Sequence, residues 1–407
     1  MEYKLLSSLY YTNKKAYETE YLNRLKSANT IKPNIEINGS PAFILITDEV
    51  SHIISSIQSS NRNLELLTEK MQSDSLQIYR SSQLSYEAVM TNDLEGVAST
   101  RKDIISILEK VRKNKTFRGA AKKFHGMVKS YDELAQNASV SIKTCSDIRE
   151  IYDQVALAEV ISSDKQNKPD GQYFRKDAVN VLNVKSGKVI HSGIYPEEKL
   201  NEAMTAALDF LNDDNIDILI RISAFHYLFG YIHPFYDGNG RTSRFISSHL
   251  LSANFNSLSG YWLANIIGEN VNSYYKMFNT VNDEKNKGDI TPFVIYFLDV
   301  LQKLFDELCE DISQKSEQYA YYENKISTRF GNTEERSVML AVLKATVFDS
   351  GAVSESGLTR ETISDMCSLP KNDVVNITNK FNDLFDIAKD GNYNRYKLLL
   401  NKLDVSE

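Results

Sequence analysis

His233-Pro-Phe-Tyr-Asp237-Gly-Asn-Gly-Arg241-Thr-Ser-Arg244 is the stretch on which the reading of this chain turns. It packs a histidine, a carboxylate, two glycines around an asparagine and two arginines into a turn that runs into a helix. Gly238 and Gly240 let the backbone come close to a ligand and adopt positive φ. Free N–H groups at such a turn form an anion-binding concavity, and the N-terminus of the following helix reinforces it. Arg241 and Arg244 are three residues apart, hence neighbours on that helix. Both can point back at the same phosphates in forked geometry. Asp237 supplies an oxygen suited to Mg2+, which is commonly held by one or two carboxylates together with substrate phosphates. His233 is the group whose free pKa suits proton abstraction near neutral pH. The set points to a nucleoside-triphosphate site with its own base. A plain Gly/Asn turn with a surface histidine and two solvated arginines would not need all of these residues together.

A histidine, a phenylalanine, an acidic residue, Gly-Asn-Gly and two arginines stand here at the offsets of the Fic family signature, with no position substituted. The stretch therefore resembles that family, whose members typically transfer AMP from ATP to a hydroxyl of a protein side chain. The resemblance implies a role for each residue. The backbone around Gly238, Asn239 and Gly240 would hold the α- and β-phosphates, with Mg2+ on Asp237. Arg241 and Arg244 would neutralise the outer phosphates, which leave as pyrophosphate. His233 would take the proton of the attacking hydroxyl. Phe235 is read as an anchor of the loop in the core and Pro234 as its stiffener.

Three further stretches fit the same resemblance. Thr91-Asn-Asp-Leu-Glu95-Gly96 matches the family's inhibitory pattern, in which the glutamate pairs with the second arginine, here Arg244, and takes the space of the γ-phosphate. Read alone, the spacing is also that of a helix capping box. Asp93 is the less favoured carboxylate, because no small residue follows it. Residues Val179–Tyr195 look like the flap over the active site that docks a target by strand addition, with Ile194 and Tyr195 as clamps. Tyr274 and Tyr275 match an aromatic pair that borders the nucleotide base; stacking on adenine and core packing are both open for each. His191 is read as a surface histidine and His226 as a packed, hydrogen-bonded one.

The 407 residues suffice for two or three domains with their own cores. A net charge of −7 argues against general nucleic-acid affinity. The basic residues Arg112, Lys113, Lys115, Arg118, Lys122 and Lys123 are read as a solvated helix face. Cys145, Cys309 and Cys367 are isolated in sequence, which fits a reducing cytoplasm. No signal peptide is indicated at the start. No apolar run nears the roughly 18–20 residues of a membrane span, so no membrane partner is expected.

Along the chain, residues up to Pro41 read as polar and irregular, with loops at Pro33 and Gly39–Pro41. Ala42 to Thr91 turns helical, with Ile54, Ile57, Leu64, Leu67 and Met71 on one face. Further amphipathic helices fill Val97–Val160. Ala178–Val184 and Val189–Tyr195 read as a hairpin joined by Lys185–Lys188. Helices resume at Glu197. They are expected at Arg241–Ala253, Asn270–Asn279 and Thr291–Ile326, the last with Thr291 as N-cap and Pro292 in its first turn. Glu335–Val347, Thr362–Ser368 and Asp373–Leu384 read as helices, followed by a hairpin around Lys389–Asn392. That order is the order of a winged helix.

The expected fold is mainly all-α: an N-terminal helical region with the inhibitory helix over 1–95, a Fic helical core with its hairpin flap over 96–329, and a winged-helix-like domain over 330–407. The expected function is a self-inhibited adenylyltransferase with ATP and Mg2+, acting on a hydroxyl-bearing protein target and on itself. Removal of AMP from a modified protein, alone or alongside transfer, is one alternative, and a different nucleotide or phosphocholine donor is another. A kinase-like variant of the family lacks the first glycine of Gly-Asn-Gly; this chain retains it as Gly238, so the resemblance disfavours phosphorylation. A third alternative is a DNA-binding regulator with a nucleotide-sensing core. Residues 362–384 carry few basic groups for such contacts. A homo-oligomer stays open.

Overall fold

The computed structural model describes residues 3–114, 121–134, 140–182, 189–391 and 393–404. The expected turn Lys185–Lys188, the basic residues Lys115 and Arg118, and Asn392 lie outside the described residues. The described chain is mainly α-helical with a few short strands. It divides into two compact units, Met1–Arg62 with Glu87–Ser99 and Ile107–Asp306, and Asn63–Tyr86 with Thr100–Ser106 and Glu307–Glu407.

At the centre of the first unit lies the helix Ile218–Ile232. Its sequence is apolar nearly all round, as a helix enclosed by protein requires, and almost every residue from Leu219 to Ile232 is buried. Asp217 caps its start, its carboxylate accepting from Leu219 N at 2.8 Å. The helices Glu197–Leu211 and Asn239–Asn254 pack against it. Helix Val271–Val281 approaches closely because Gly230 has no side chain; a Cβ there would stand 2.6 Å from the Phe278 ring. Helix Cys145–Tyr152 continues through a π-helical turn, Asp153–Leu157, into Ala158–Ser163. That turn packs on helices Ala121–Leu134 and Asn239–Asn254.

The expected hairpin is present as antiparallel strands Asn180–Leu182 and Val189–Ser192, with Asn180 opposite Ser192 and Val181 opposite His191. The N-terminal reading needs correction. Residues before Pro41 are not irregular: they form helices Leu6–Thr12 and Lys14–Lys26. Their buried Leu6 and Tyr17 join Phe43 in a small core, with Leu9, Tyr10, Tyr21 and Leu25 packed against it. Asn13 caps the second helix by accepting from Ala16 N. Arg24 reaches Asp289 at 3.1 Å, so long-range contacts supply what the local pattern lacks. Arg112 likewise is not merely solvated, since it pairs with Asp132 at 2.7 Å. Helix Thr291–Arg329 starts at Thr291 rather than after it, and Asp289 accepts from the Thr291 N–H at 3.1 Å.

In the second unit, helices Thr333–Phe348, Arg360–Cys367 and Lys371–Lys380 precede strands Phe385–Asp390 and Tyr393–Leu398. Asn332 accepts from the N–H groups of Glu334 and Glu335, which starts the first of these helices two residues earlier than its apolar pattern suggests. The last helix ends at Lys380; a 3-10 turn, Asn382–Leu384, follows it. Leu358–Thr359 pairs with the far side of Tyr393–Leu398, giving a three-stranded antiparallel sheet.

Candidate active site

The signature loop joins two buried helices. His233 closes Ile218–Ile232 in the left-handed conformation, φ 53°. Gly238, φ 78°, opens Asn239–Asn254. The side chain of Asn239 staples the turn: it accepts from Phe235 N at 2.9 Å and donates to Phe235 O at 2.8 Å. Phe235 is fully buried and stacks on Tyr152, ring centroids 3.7 Å apart. The asparagine between the glycines thus shapes the loop with its side chain. The first N–H groups of a helix have no intrahelical acceptor, and here they begin beside Gly238, Asn239 and Gly240. These three residues line a cavity of about 590 Å3 together with His233, Asp237, Arg244 and Glu95.

Arg244 is buried and bound along its Nε–Nη2 edge. Its Nε donates to Thr91 Oγ1 at 2.9 Å, and its Nη2 donates to Thr91 O at 3.0 Å and to Glu95 Oε1 at 2.9 Å. Burial opposes the guanidinium charge, and the Glu95 carboxylate more than restores it, so its pKa lies above the usual arginine value. Glu95 sits just past the C-terminal end of helix Ser73–Asp93, so Thr91 and Glu95 do not form an N-terminal capping box. Gly96, φ 71°, closes that end: its N–H bonds Asp93 O, and Val97 N bonds Asn92 O. A left-handed residue at this point favours glycine. Asp93 is exposed. Gly240 makes room for the carboxylate, since a Cβ there would lie 2.1 Å from Glu95 Oε1.

Arg241 and Arg244 diverge. Arg241 is buried, and its Nη1 donates to Glu159 Oε2 at 2.7 Å. Its Nη2 is 3.9 Å from Asp237 Oδ1. Glu159 carried no signal in the sequence beyond being a glutamate in an amphipathic helix. Removing one partner of a buried pair costs about 3–5 kcal/mol. Arg241→Ala is therefore expected to lower the melting temperature by several degrees, through Glu159 left unpaired, as well as to weaken ATP binding. Calorimetric melting beside Asp237→Ala, which should weaken binding of Mg2+–ATP with little loss of stability, separates the two effects.

Asp237 is half-exposed to solvent and accepts from Gly238 N through Oδ1 at 2.5 Å. Among the described residues no group of three or more His, Cys, Asp or Glu could cage a metal ion. One half-exposed carboxylate beside a phosphate cradle suits Mg2+, which keeps most of its ligands as water and phosphate.

Burial, with Arg175 and His191 beside it, pushes the His233 imidazole down to about 4. The near-neutral value expected from the free side chain does not hold here. His226 is buried as expected, meeting Ser247 Oγ at 2.9 Å and Tyr274 OH at 2.7 Å; burial, then Arg244, pushes it down to about 3. Tyr274 is a core residue whose ring also packs on Phe278. Tyr275 is 44% exposed along the cavity, and its hydroxyl donates to Leu94 O at 3.2 Å. His191 is not a surface histidine: it lines the cavity, stacks on Tyr231 and meets Tyr231 O through Nε2. Tyr195 is exposed. Ile194 has both backbone groups taken within the chain: its N–H bonds Ile232 O and its carbonyl accepts from Arg175.

Glu87 escaped the sequence reading. It is buried, eight residues before Glu95 in sequence, and accepts from Ala264 N and from Asn265 Nδ2. Burial outweighs these bonds and pushes its carboxyl up to about 7. The folded state therefore holds the proton more tightly than the unfolded chain does. This contribution to stability is full below the ordinary glutamate value of about 4.5 that holds in the unfolded chain, and is lost as pH rises through about 7. Glu87→Gln should flatten the fall in melting temperature across that window.

Fold and site together define a helical protein with a phosphate-type cradle at a helix N-terminus, a histidine beside it and a carboxylate already on its inner arginine. Residues 143–251 match the sequence profile described as the Fic/DOC family. It is similar to protein adenylyltransferase fic-1 of Caenorhabditis elegans, 24% identical over 173 residues that make up 40% of this chain and 30% of that protein. Protein adenylyltransferase Fic of Drosophila yakuba is 40% identical over 81 residues, 20% of this chain and 14% of that one. The chain thus spans less than a third of each of these relatives. A Fic family protein from Desulfovibrio desulfuricans G20 shares the fold, with a TM-score of 0.51 at 17% identity, over 87% of this chain and 96% of that one. Glu95, Tyr274 and Tyr275 lie outside the matched residues 143–251. No helix among the described residues is long and apolar enough to cross a membrane.

Proposed function

We propose that the chain is a self-inhibited protein adenylyltransferase. The observation that carries this reading is the 2.9 Å pair between Glu95 and buried Arg244 inside the cavity that also holds His233. The chemistry follows from the residues. A target hydroxyl attacks the α-phosphorus of ATP. The new oxygen–phosphorus bond forms as the bond from the α-phosphorus to the bridging oxygen breaks, and pyrophosphate leaves. The hydroxyl proton passes to the His233 imidazole. Its depressed pKa leaves the ring neutral and ready to accept at pH 7. Backbone N–H groups at Gly238–Gly240 and the helix N-terminus cradle the phosphates. Mg2+ on Asp237 would offset phosphate charge when bound.

While Glu95 holds Arg244, that guanidinium is not offered to the γ-phosphate, and ATP binds without productive alignment. The same carboxylate, held in the cavity, favours removal of AMP as a second reading, with Glu95 orienting water. Transfer is tested with ATP labelled on the α- or the γ-phosphate, incubated with lysate and the Glu95→Gly protein. The α label should join protein and the γ label should not; γ labelling, or no labelling by either, would sink the proposal.

We place the protein in the cytoplasm: Cys145, Cys309 and Cys367 are isolated in sequence and are not joined in disulfides, as suits a reducing compartment. We assign the second unit a winged-helix-like role in protein contact rather than DNA contact. Lys371 and Lys380 of its helix Lys371–Lys380 are taken up by Glu361 and Glu335, leaving a poor footprint for phosphates.

A further inference from the structure

Arg175 stands outside the signature, yet it ties the site together. It is buried, with 1% exposure. Its guanidinium donates to three carbonyls on three segments: Nε to His233 O at 2.9 Å, Nη1 to Asp177 O at 2.6 Å and Nη2 to Ile194 O at 2.9 Å. Asp177 precedes the first flap strand, Ile194 follows the second, and His233 carries the imidazole. Its own N–H bonds Pro234 O at 3.2 Å.

The loop that carries Arg175 is itself pinned. Glu197 accepts from the N–H groups of Gln172, Tyr173 and Phe174. Tyr236 OH donates to Asp170 and accepts from Asp177 N. Gly193 has no room for a side chain: a Cβ would lie 2.3 Å from Arg175 Nη2 and 3.0 Å from His233 Cβ.

Burying an arginine is costly unless its donors are used, and here all three bonds go to backbone at the site. A non-glycine residue in the left-handed region persists only where its surroundings fix it. His233 is such a residue, and Arg175 holds its carbonyl.

We propose that Arg175 is a positioning residue that locks His233 and both ends of the flap into one register, so that a target segment seated on the flap meets the base correctly placed. This rests on the adenylyltransferase reading above. It differs from a general stabilising role in one respect. Burial acts most strongly on the His233 imidazole; Arg175 places a positive charge beside it, the other titratable groups facing it are His191 from the flap and Glu95 from the inhibitory turn, and the Gly230 backbone hydrogen-bonds the ring. Removing that charge must raise the His233 pKa, so the acid limb of transfer moves to higher pH.

The test uses the full chain with Glu95→Gly as parent, and adds Arg175→Met, Arg175→Lys or Gly193→Ala. A misplacement of about 1 Å costs on the order of 100-fold in rate. Arg175→Met should lose about that in kcat with the KM for ATP unchanged. Its acid limb and the NMR titration of His233 should both move to higher pH. Arg175→Lys, which keeps charge but cannot span three carbonyls, should lose kcat without the pH shift. A folded Arg175→Met protein with parental kcat and titration overturns the inference. If Arg175→Met fails to fold, Gly193→Ala decides: parental kcat there also overturns it, and a fall in kcat with intact ATP binding supports it. If the parent itself transfers nothing, the functional reading fails, while the NMR titration still tells whether Arg175 governs His233.

Discussion

Alanine at His233 is expected to abolish AMP transfer while Mg2+–ATP binding stays near the parental affinity. A positioned general base contributes about 10²–10⁴-fold, and here the base and the cradle are separate parts. In the proposed function the phosphates rest on the backbone at Gly238–Gly240 and on Arg244, with Asp237 holding Mg2+, and all of these line the cavity as groups separate from the imidazole itself. Asn239 and Phe235 hold that turn whatever residue stands at 233. The left-handed backbone at 233 is a cost for alanine as well as for histidine, so melting should be compared with the parent first. The pH dependence is equally specific. His233 is pushed down to about 4, first by burial and then by Arg175 and His191. A base acts in its neutral form, which dominates above its pKa. The acid limb of kcat/KM, which reports the free enzyme, should therefore lie well below the ordinary histidine value, and it should vanish with the activity in His233→Ala. The α-label assay run alongside ATP calorimetry checks both parts. Transfer by His233→Ala at the parental rate would remove His233 from the role of base.

The loop could be read from sequence because its constraints are local. Two glycines at positive φ or close approach, an asparagine able to bond its own turn and a buried phenylalanine lie within eight residues, and each leaves a type-specific mark. The central helices were legible for a similar reason: Ile218–Ile232 is apolar almost without interruption. What stayed hidden was set by contacts distant in sequence. Nothing near Arg241 announces Glu159, 82 residues away. Nothing near Arg175 announces that its partners are carbonyls at 194 and 233. The two N-terminal helices lack a strong apolar stripe, and Arg24 with Asp289 helps to hold them. His191 looked like a surface residue because strand alternation gives it no apolar setting, while the fold lays it on Tyr231. The depression of the His233 pKa is likewise a property of enclosure, which no spacing rule records.

Glycine at Glu95 is expected to raise transfer by well over an order of magnitude. The pair it removes is close and largely enclosed: Glu95 Oε1 stands 2.9 Å from Arg244 Nη2, with Arg244 buried and the Glu95 side chain 18% exposed. A tenfold gain needs only about 1.4 kcal/mol, less than the roughly 3–5 kcal/mol at stake when a buried charge pair loses one member. Arg244 would not be left bare, because Thr91 Oγ1 and Thr91 O keep accepting from it. The guanidinium stays aimed while its remaining charge becomes available to the γ-phosphate. The space also changes: Glu95 Oε1 fills the position beside Gly240 that a side chain there would occupy, and its loss opens the cradle to a fully extended triphosphate. Thr91→Val should activate far less, since it removes one aiming bond and leaves the competing carboxylate in place. Asp93→Ala should leave transfer at the resting level, because Asp93 is exposed. If Asp93→Ala activates and Glu95→Gly does not, the inhibitory carboxylate is the wrong one. If Glu95→Gly also removes any release of AMP from modified protein, the same carboxylate serves as the brake on transfer and as the group that orients water for the reverse outcome. Retained release in that variant would separate the two roles.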